Sequence, residues 1–539
     1  MSGSIIAYSA AGVLGLGLLG WRFKQDPKTY GSAGWLKPWT AMRARLFKRK
    51  GILVGDWTGL LPVYYEDTHA ISFGPSGSGK GTCTILPNLM LPGFAFAIDP
   101  GGENTAVAVK SWHKAGYEVC VINPFGMFED KPWALPRHGF NPLDILDADS
   151  ETFASEALLI AELLIPRSGK EDGSSLYFKN AATSFLQAVL MHVISTKPKS
   201  ERHLGTVYAL VNGDADEWEA LIKAMVANPA GDGFVSKTAS SMERREEQAP
   251  AEFSAVMSTV QQDLVWLGDK VVRESLKRSD VDFSILKGRN KSGKPLKGGV
   301  ISVVLPLEYN ESHAAIPRLA LGCAIWEMQR APLARAKVLF LIDEAAALGK
   351  ITRFPNWLAT LRKYKVVLWP IFQNIGQVKA LYGEQWQTFI ANCGLRQFIG
   401  VSDLETAEYV SKLLGEQTTH SRSTNAQGQA SSSETRRALL TVDEILHFDE
   451  TRQLVFIRNL EAQPLKKTPY WERPELRGRF NRNPYQSRKS PVSLGAGLKG
   501  LWGDLYHLLV CLLAPHPAAA FLYLGLLGVA IHKMIGVLS

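Results

Sequence analysis

Residues 70–82 read AISFGPSGSGKGT, a short apolar run that breaks into Gly74, Pro75, Ser76, Gly77, Ser78, Gly79, Lys80, Gly81 and Thr82. A strand ending in a glycine-rich turn lets backbone N–H groups converge on phosphate oxygens. The helix that follows adds its positive end, and a lysine reaches the β and γ phosphates. Glycine is needed because side chains would fill the space the anion takes. The chemistry expected is nucleoside triphosphate binding, with ATP and Mg²⁺ as cofactors and Lys80 gripping the phosphates. Gly81 stands where a hydroxyl residue usually follows the lysine, so Thr82 is the expected hydroxyl ligand of the metal.

A second element lies at 338–344, VLFLIDE, an apolar run ending in adjacent carboxylates. Alone, such a run reads more readily as a strand ending in two solvated acids. Beside the glycine-rich loop it reads as a catalytic pair, because α/β sheets place their ligand chemistry at the carboxyl ends of buried parallel strands. Asp343 is expected to hold Mg²⁺, and Glu344 to orient and polarise the attacking water. The five cysteines, Cys83, Cys120, Cys323, Cys393 and Cys511, form no Cys-x-x-Cys pair. They suit reduced thiols in a cytosolic compartment, with no structural metal.

Elements able to position these groups follow from the hydrophobic pattern. Apolar runs at 94–99 (FAFAID), 118–123 (EVCVIN), 300–305 (VISVVL), 366–373 (VVLWPIFQ), 395–400 (LRQFIG) and 454–457 read as strands. Helical stretches such as 317–330 and 355–364 separate most of them. Alternating strands and helices predict a mostly parallel sheet covered on both faces, a RecA-like α/β core of the P-loop NTPase kind. Between 141 and 278 no comparable β-run recurs, and three- to four-residue apolar spacing predicts an inserted all-α domain. The partition expected is nucleotide-binding segments 51–145 and 286–463 around an all-α domain at 146–285. Residues 288–299 (GRNKSGKPLKGG) read as a basic loop, and the polar stretch 418–433 as one that does not pack.

The chain has 539 residues, 46% apolar and 21% charged, which excludes disordered and fibrous classes. Its formal charge is +9, and the excess sits in two belts. Nine Lys/Arg against Asp26 occupy 22–50, a juxtamembrane segment, and nine against Glu472 and Glu475 occupy 464–500, a basic linker. The interval between them is mildly acidic. Residues 1–21 carry no charge and precede Arg22, Lys24 and Lys28, which predicts a transmembrane helix with the rest of the chain cytoplasmic. The segment 501–539, broken by Pro515 and Pro517, is a second expected membrane segment. The belts would fix topology and attract anionic membrane lipid.

Taken in order, FGPSGSGKGT (73–82), IDPGGEN (98–104), FNPLD (140–144), YFKNAATSFLQAVL (177–190), LFLIDEAAALG (339–349), QNIGQVKALYG (373–383), GVSDLETAEYVSKLLG (400–415) and RRALLTVDEIL (436–446) make the chain resemble the type IV secretion coupling proteins, the TraG/TraD-type conjugative DNA-transfer ATPases. The resemblance spans about 70–480, and Gly81 is common in that family. It implies a hexameric ring ATPase at the bacterial inner membrane. The ring would take a relaxase bound to single-stranded DNA, or protein effectors, to a secretion channel and contact its inner-membrane components. It also implies that Gln373 senses the γ-phosphate and that Arg362 reaches the neighbouring subunit's nucleotide. Two departures stand out: Gly101 replaces a frequent lysine, and one N-terminal span replaces the usual two. The rival readings are an FtsK-like double-stranded DNA pump and a membrane-tethered docking adaptor with a vestigial ATP site.

Overall fold

The computed structural model describes residues 29–486 apart from 60, 92, 169–172 and 425–429. Both expected membrane segments lie outside the described residues, among which no helix is long and apolar enough to cross a membrane.

Thirteen strands are described: β1 (Ile52–Asp56), β2 (Pro62–Tyr65), β3 (His69–Phe73), β4 (Phe94–Pro100), β5 (Glu118–Ile122), β6 (Gly299–Leu305), β7 (Val338–Ile342), β8 (Val366–Phe372), β9 (Cys393–Phe398), β10 (Glu416–Thr424), β11 (Ala430–Ala438), β12 (Arg452–Ile457) and β13 (Gln463–Lys466). Eleven form one sheet in the order β2-β1-β13-β12-β9-β3-β8-β7-β4-β6-β5. From β9 to β5 every pairing is parallel. From β9 outward through β12, β13, β1 and β2 the pairing is antiparallel. The parallel strands are apolar along nearly their whole length because helices cover both faces: β3 and β6 are buried at every position. Aromatic side chains cross-link neighbouring strands, with Phe73 on Phe398 at 5.1 Å and Phe96 on Phe340 at 5.2 Å between ring centres.

A polar network is buried inside the sheet beside β3. Ser72 Oγ donates to Gln397 Oε1 at 2.8 Å and accepts from Trp369 Nε1 at 2.8 Å, while Gln397 and Gln453 both donate to the Val54 carbonyl. Each buried polar atom named here has a partner, so the network fixes register between β1, β3, β8, β9 and β12.

Between β5 and β6 the described chain is helical, including Phe153–Leu164, Gly173–Thr196, Phe234–Gln248 and Pro250–Asp263. Arg318, on the buried helix Ala315–Met328, ties this region to the sheet. Its guanidinium donates to the carbonyls of Leu163 and Leu348, both at 2.9 Å, and Leu348 belongs to the turn that follows β7.

Two expectations are corrected here. Residues 418–424 and 430–433 lie in an antiparallel hairpin, β10 against β11, in register from Glu416↔Ala438 to Thr424↔Ala430. Threonine favours strands without being apolar, and pairs such as Thr419 with Thr435, 3.0 Å apart, supply the cross-strand contacts. The basic linker expected over 464–500 is no linker as far as residue 486. Arg473 is 3% exposed and donates to Asp56 at 2.7 Å, because burying one charge requires burying its partner. Beyond it, residues 478–485 strap the helix Glu103–Ala115. Asn481 Nδ2 donates to the Ala106 carbonyl at 3.0 Å, Lys114 reaches the Gly478 carbonyl, and Tyr485 Oη donates to the Gly101 carbonyl at 2.8 Å.

Candidate functional site

The loop leaves β3 at Gly74, whose N–H donates to the Phe372 carbonyl at the end of β8. A side chain at Gly74 would meet Ser78 Oγ at 2.8 Å and the Ile399 carbonyl at 3.2 Å. Gly77 and Gly79 take φ of +79° and +86°, a region that favours glycine. The chain then enters a wide helical turn, Lys80–Ile85, continued by Leu86–Leu89. The backbone therefore has the open, glycine-lined form expected of a phosphate cradle.

Four of the residues expected from sequence meet at the carboxyl ends of β3, β7 and β8. Lys80 Nζ forms an ion pair with Glu344 Oε1 and lies 3.7 Å from Asp343 Oδ1. Gln373 Nε2 donates to the other oxygen of Glu344 at 3.1 Å, and its backbone N–H donates to Gln377 Oε1 at 2.8 Å. Glu344 sits at φ +48°, a left-handed conformation that costs a side-chain-bearing residue about 1–2 kcal/mol. Its N–H donates to Asp343 Oδ1 at 3.0 Å. Burial pushes the Asp343 carboxyl up to about 7; Lys80 pulls it back, while Glu344 and Asp99 add to the rise. Burial alone would lower the Lys80 ammonium, but Asp343 and Glu344 outweigh it and hold it above its ordinary value.

Two expected site residues lie elsewhere. Thr82 Oγ1 is turned to the Gly79 carbonyl, 3.3 Å away, and to the Cys83 thiol. Helical phase at that wide turn carries it to the side where Lys467 also sits, so it is not placed as the metal's hydroxyl ligand. Arg362 precedes β8, and seven strand residues at ~3.3 Å each put about 20 Å between it and Gln373. It pairs with Asp67 at 2.6 Å, both side chains more than half exposed.

Three contributors were not foreseen. Lys467, just after β13, donates to the Ser78 carbonyl at 2.7 Å, and burial lowers its pKa. Nothing in its sequence neighbourhood points to the loop. Asp99, at the end of β4 beside β7, is 1% exposed and pushed up to about 6 by burial, against hydrogen bonds from Thr105 and Asn104. Asn104 donates to Asp99 Oδ1 at 2.9 Å, while its own Oδ1 is buried without a partner. The signal for both was the motif IDPGGEN, which ends an apolar strand as VLFLIDE does. Gly101, the departure noted there, has φ +80°, and a side chain on it would press on Leu307 at 3.2 Å.

Among the described residues no three His, Cys, Asp or Glu side chains cluster as a metal site. Mg²⁺ on a nucleotide needs no such cluster, because phosphates and waters supply most of its ligands. The Asp343 carboxylate and the orphaned Asn104 oxygen fit that requirement.

A strand, glycine-rich loop and helix, with a carboxylate pair on the second strand over and an amide on the strand between, define the P-loop NTPase class. A family model described as "Type IV secretory system Conjugative DNA transfer" matches residues 25–493, and the chain belongs to that family. Protein VirD4 of Rhizobium radiobacter is 25% identical over 480 residues, covering 85% of this chain and 66% of that protein. Conjugal transfer protein TraG of Agrobacterium fabrum (strain C58 / ATCC 33970) is 25% identical over 477 residues, covering 79% and 68%. The chain thus spans about two thirds of the length of these relatives. Among solved structures, plasmid coupling protein TrwB in complex with the ATP analogue ADPNP superposes with a TM-score of 0.60 at 15% identity, covering 83% of this chain and 96% of that one. TrwB with ADP and Mg²⁺ gives 0.58 at 16%, with the same coverage. At that identity the likeness is one of fold.

Proposed function

We propose that this chain is the coupling ATPase of a type IV secretion system: it binds ATP with Mg²⁺ at the loop, hydrolyses it, and uses the cycle to deliver substrate to the secretion channel. The observation that carries the reading is the convergence of Lys80, Asp343, Glu344 and Gln373 on the mouth of the loop, in a chain of the conjugative DNA transfer family. The similarity to a conjugal transfer protein, and to a plasmid coupling protein seen with ADPNP and with ADP and Mg²⁺, supports it.

Each residue has a task set by its chemistry. Lys80, held by two carboxylates, is free to exchange them for phosphate oxygens. Glu344, once released, accepts a proton from water facing the γ-phosphate, and Gln373 holds that carboxylate by its second oxygen and reports the strand-end geometry through β8. Asp343 would be the protein carboxylate that holds Mg²⁺, which when bound would supply positive charge to offset that of the phosphates. Arg362, too far from its own loop, acts on the nucleotide of a neighbouring subunit in a hexameric ring, and leaves Asp67 to do so. The cargo is a relaxase bound to single-stranded DNA, or protein effectors. The engine is anchored at the inner membrane by the apolar ends, in contact with the channel's inner-membrane components. Intact Lys80 and Glu344 weigh against a vestigial adaptor.

Lys80→Ala is expected to abolish substrate transfer between cells while protein level and membrane fractionation stay at wild type. Transfer at the wild-type frequency would refute the proposal.

A further inference from the structure

The phosphate loop lacks the hydroxyl that its commonest form places after the lysine, and the structure shows which oxygen borders that space. If Gly81 carried a side chain, its Cβ would touch, outside its own turn and among the described residues, Asn104 Oδ1, at 3.5 Å. That oxygen is buried and has no hydrogen-bond partner, on a residue only 6% exposed. A buried amide oxygen left unpaired costs about 1–3 kcal/mol, so its position calls for a ligand.

The orientation of the amide is fixed by its neighbours. Asp99 Oδ1 faces the Asn104 side chain and backbone N–H, and Oδ2 accepts from Thr105 N–H at 2.7 Å. A carboxylate accepting from backbone donors must be met by the amide nitrogen, which leaves the amide oxygen pointing at Gly81. Asp99 is the last residue but one of β4, and β4 is paired with β7 in register at Ile98↔Ile342, so Asp99 and Asp343 follow that pair side by side on adjacent strands. Thr82, the other hydroxyl in reach by sequence, is engaged with Gly79.

We infer that Asn104 Oδ1 takes the place of the missing hydroxyl as the neutral oxygen ligand of the nucleotide-bound Mg²⁺, and that Asp99 acts as a positioning residue that holds the amide in this orientation. Gly81 and Asn104 are then one device: the glycine makes room for an oxygen delivered from the next motif along the sheet. The charge on the ion site is unchanged by the exchange, because an amide replaces a neutral hydroxyl.

This inference rests on the loop holding a magnesium nucleotide, and the experiment separates the two. ADP affinity of the purified full-length chain is measured by calorimetry with and without Mg²⁺. Wild type is expected to bind ADP more tightly when Mg²⁺ is present; an identical affinity in both would overturn the nucleotide reading itself. Asn104→Ala is expected to keep the Mg²⁺-free affinity, which also shows that the loop is folded, and to lose at least about tenfold of the Mg²⁺ enhancement. Gly81→Ser in the Asn104→Ala background is expected to restore the enhancement, since the serine hydroxyl enters the space the amide left. Should Asn104→Ala fail to fold, Asn104→Ser, which keeps a polar side chain able to bond Asp99, is measured instead and should show a partial loss. Full Mg²⁺ enhancement in Asn104→Ala, or in Asn104→Ser when that variant is the one measured, would overturn the inference. So would a double variant no better than the single.

Discussion

The strand that carries the phosphate loop begins at a histidine that ought to make the protein sensitive to mild acid. His69 is 1% exposed, its Nδ1 accepts the Leu368 N–H at 2.9 Å, and its Nε2 is buried without a partner. Burial first, then the positive charges of Arg362 and Arg458, lower its pKa from 6.5 to about 4. A base whose folded pKa lies below its unfolded one binds fewer protons when folded, so stability is full above pH 6.5 and is lost as pH falls toward 4. At about 1.36 kcal/mol per pKa unit the full loss is about 3 kcal/mol, of which about 2 kcal/mol has been lost by about pH 5. His69→Asn retains an acceptor near the Nδ1 position and cannot titrate. Denaturant unfolding of both proteins at about pH 7.5 and about pH 5 should show wild type losing about 2 kcal/mol more than the variant between the two. An equal loss in both would refute the argument, since the ring would then be as easily protonated in the folded chain as in the unfolded one.

Glu344→Gln should lower ATP turnover by about 10²–10⁴ without weakening ADP binding, because Lys80 is then released from the nearer of its two carboxylates; turnover and calorimetry check the two halves. Arg362→Ala subunits mixed with Lys80→Ala subunits should hydrolyse only where an intact arginine faces an intact loop, and turnover proportional to the intact loops alone would rule out action in trans. Removing Asp67, whose pair with Arg362 is more than half exposed, should change stability by less than about 1 kcal/mol in a thermal melt. Asp56→Asn leaves the buried Arg473 charge to Glu475, 3.7 Å away and one-third exposed, and should cost about 3 kcal/mol of unfolding free energy.

What the sequence displayed and what it hid divide along physical lines. Parallel strands such as VISVVL, buried on both faces, are continuous apolar runs and could be read directly. β1, β2 and β13 (ILVGD, PVYY and QPLK) are short, interrupted by glycine or proline, and owe their place to partners distant in sequence. The hairpin of β10 and β11 is polar throughout, so no hydrophobic alternation marked it. Lys80, Asp343, Glu344 and Gln373 were legible because strand ends fix where side chains emerge. Where the Thr82 hydroxyl faces, toward the Gly79 carbonyl, was not legible, because spacing does not reveal the phase of a widened helical turn. Lys467 and the oxygen of Asn104 reach the loop only through tertiary contacts, which no local pattern encodes.

The pairing of Asp56 with Arg473 joins residues 417 apart, and β1 meets β13 at Asp56↔Lys466. The loop's own strand waits similarly for β8 and β9, more than 290 residues downstream. Contacts so remote make for slow closure, and during synthesis they have a further effect. A nascent chain emerging from the ribosome has its glycine-rich loop early, but lacks the strands that shape it and the lysine that pins it until most of the polypeptide has been made. Fragments released by premature termination therefore carry no finished phosphate cradle, and the catalytic centre comes into being only in chains long enough to include the strap.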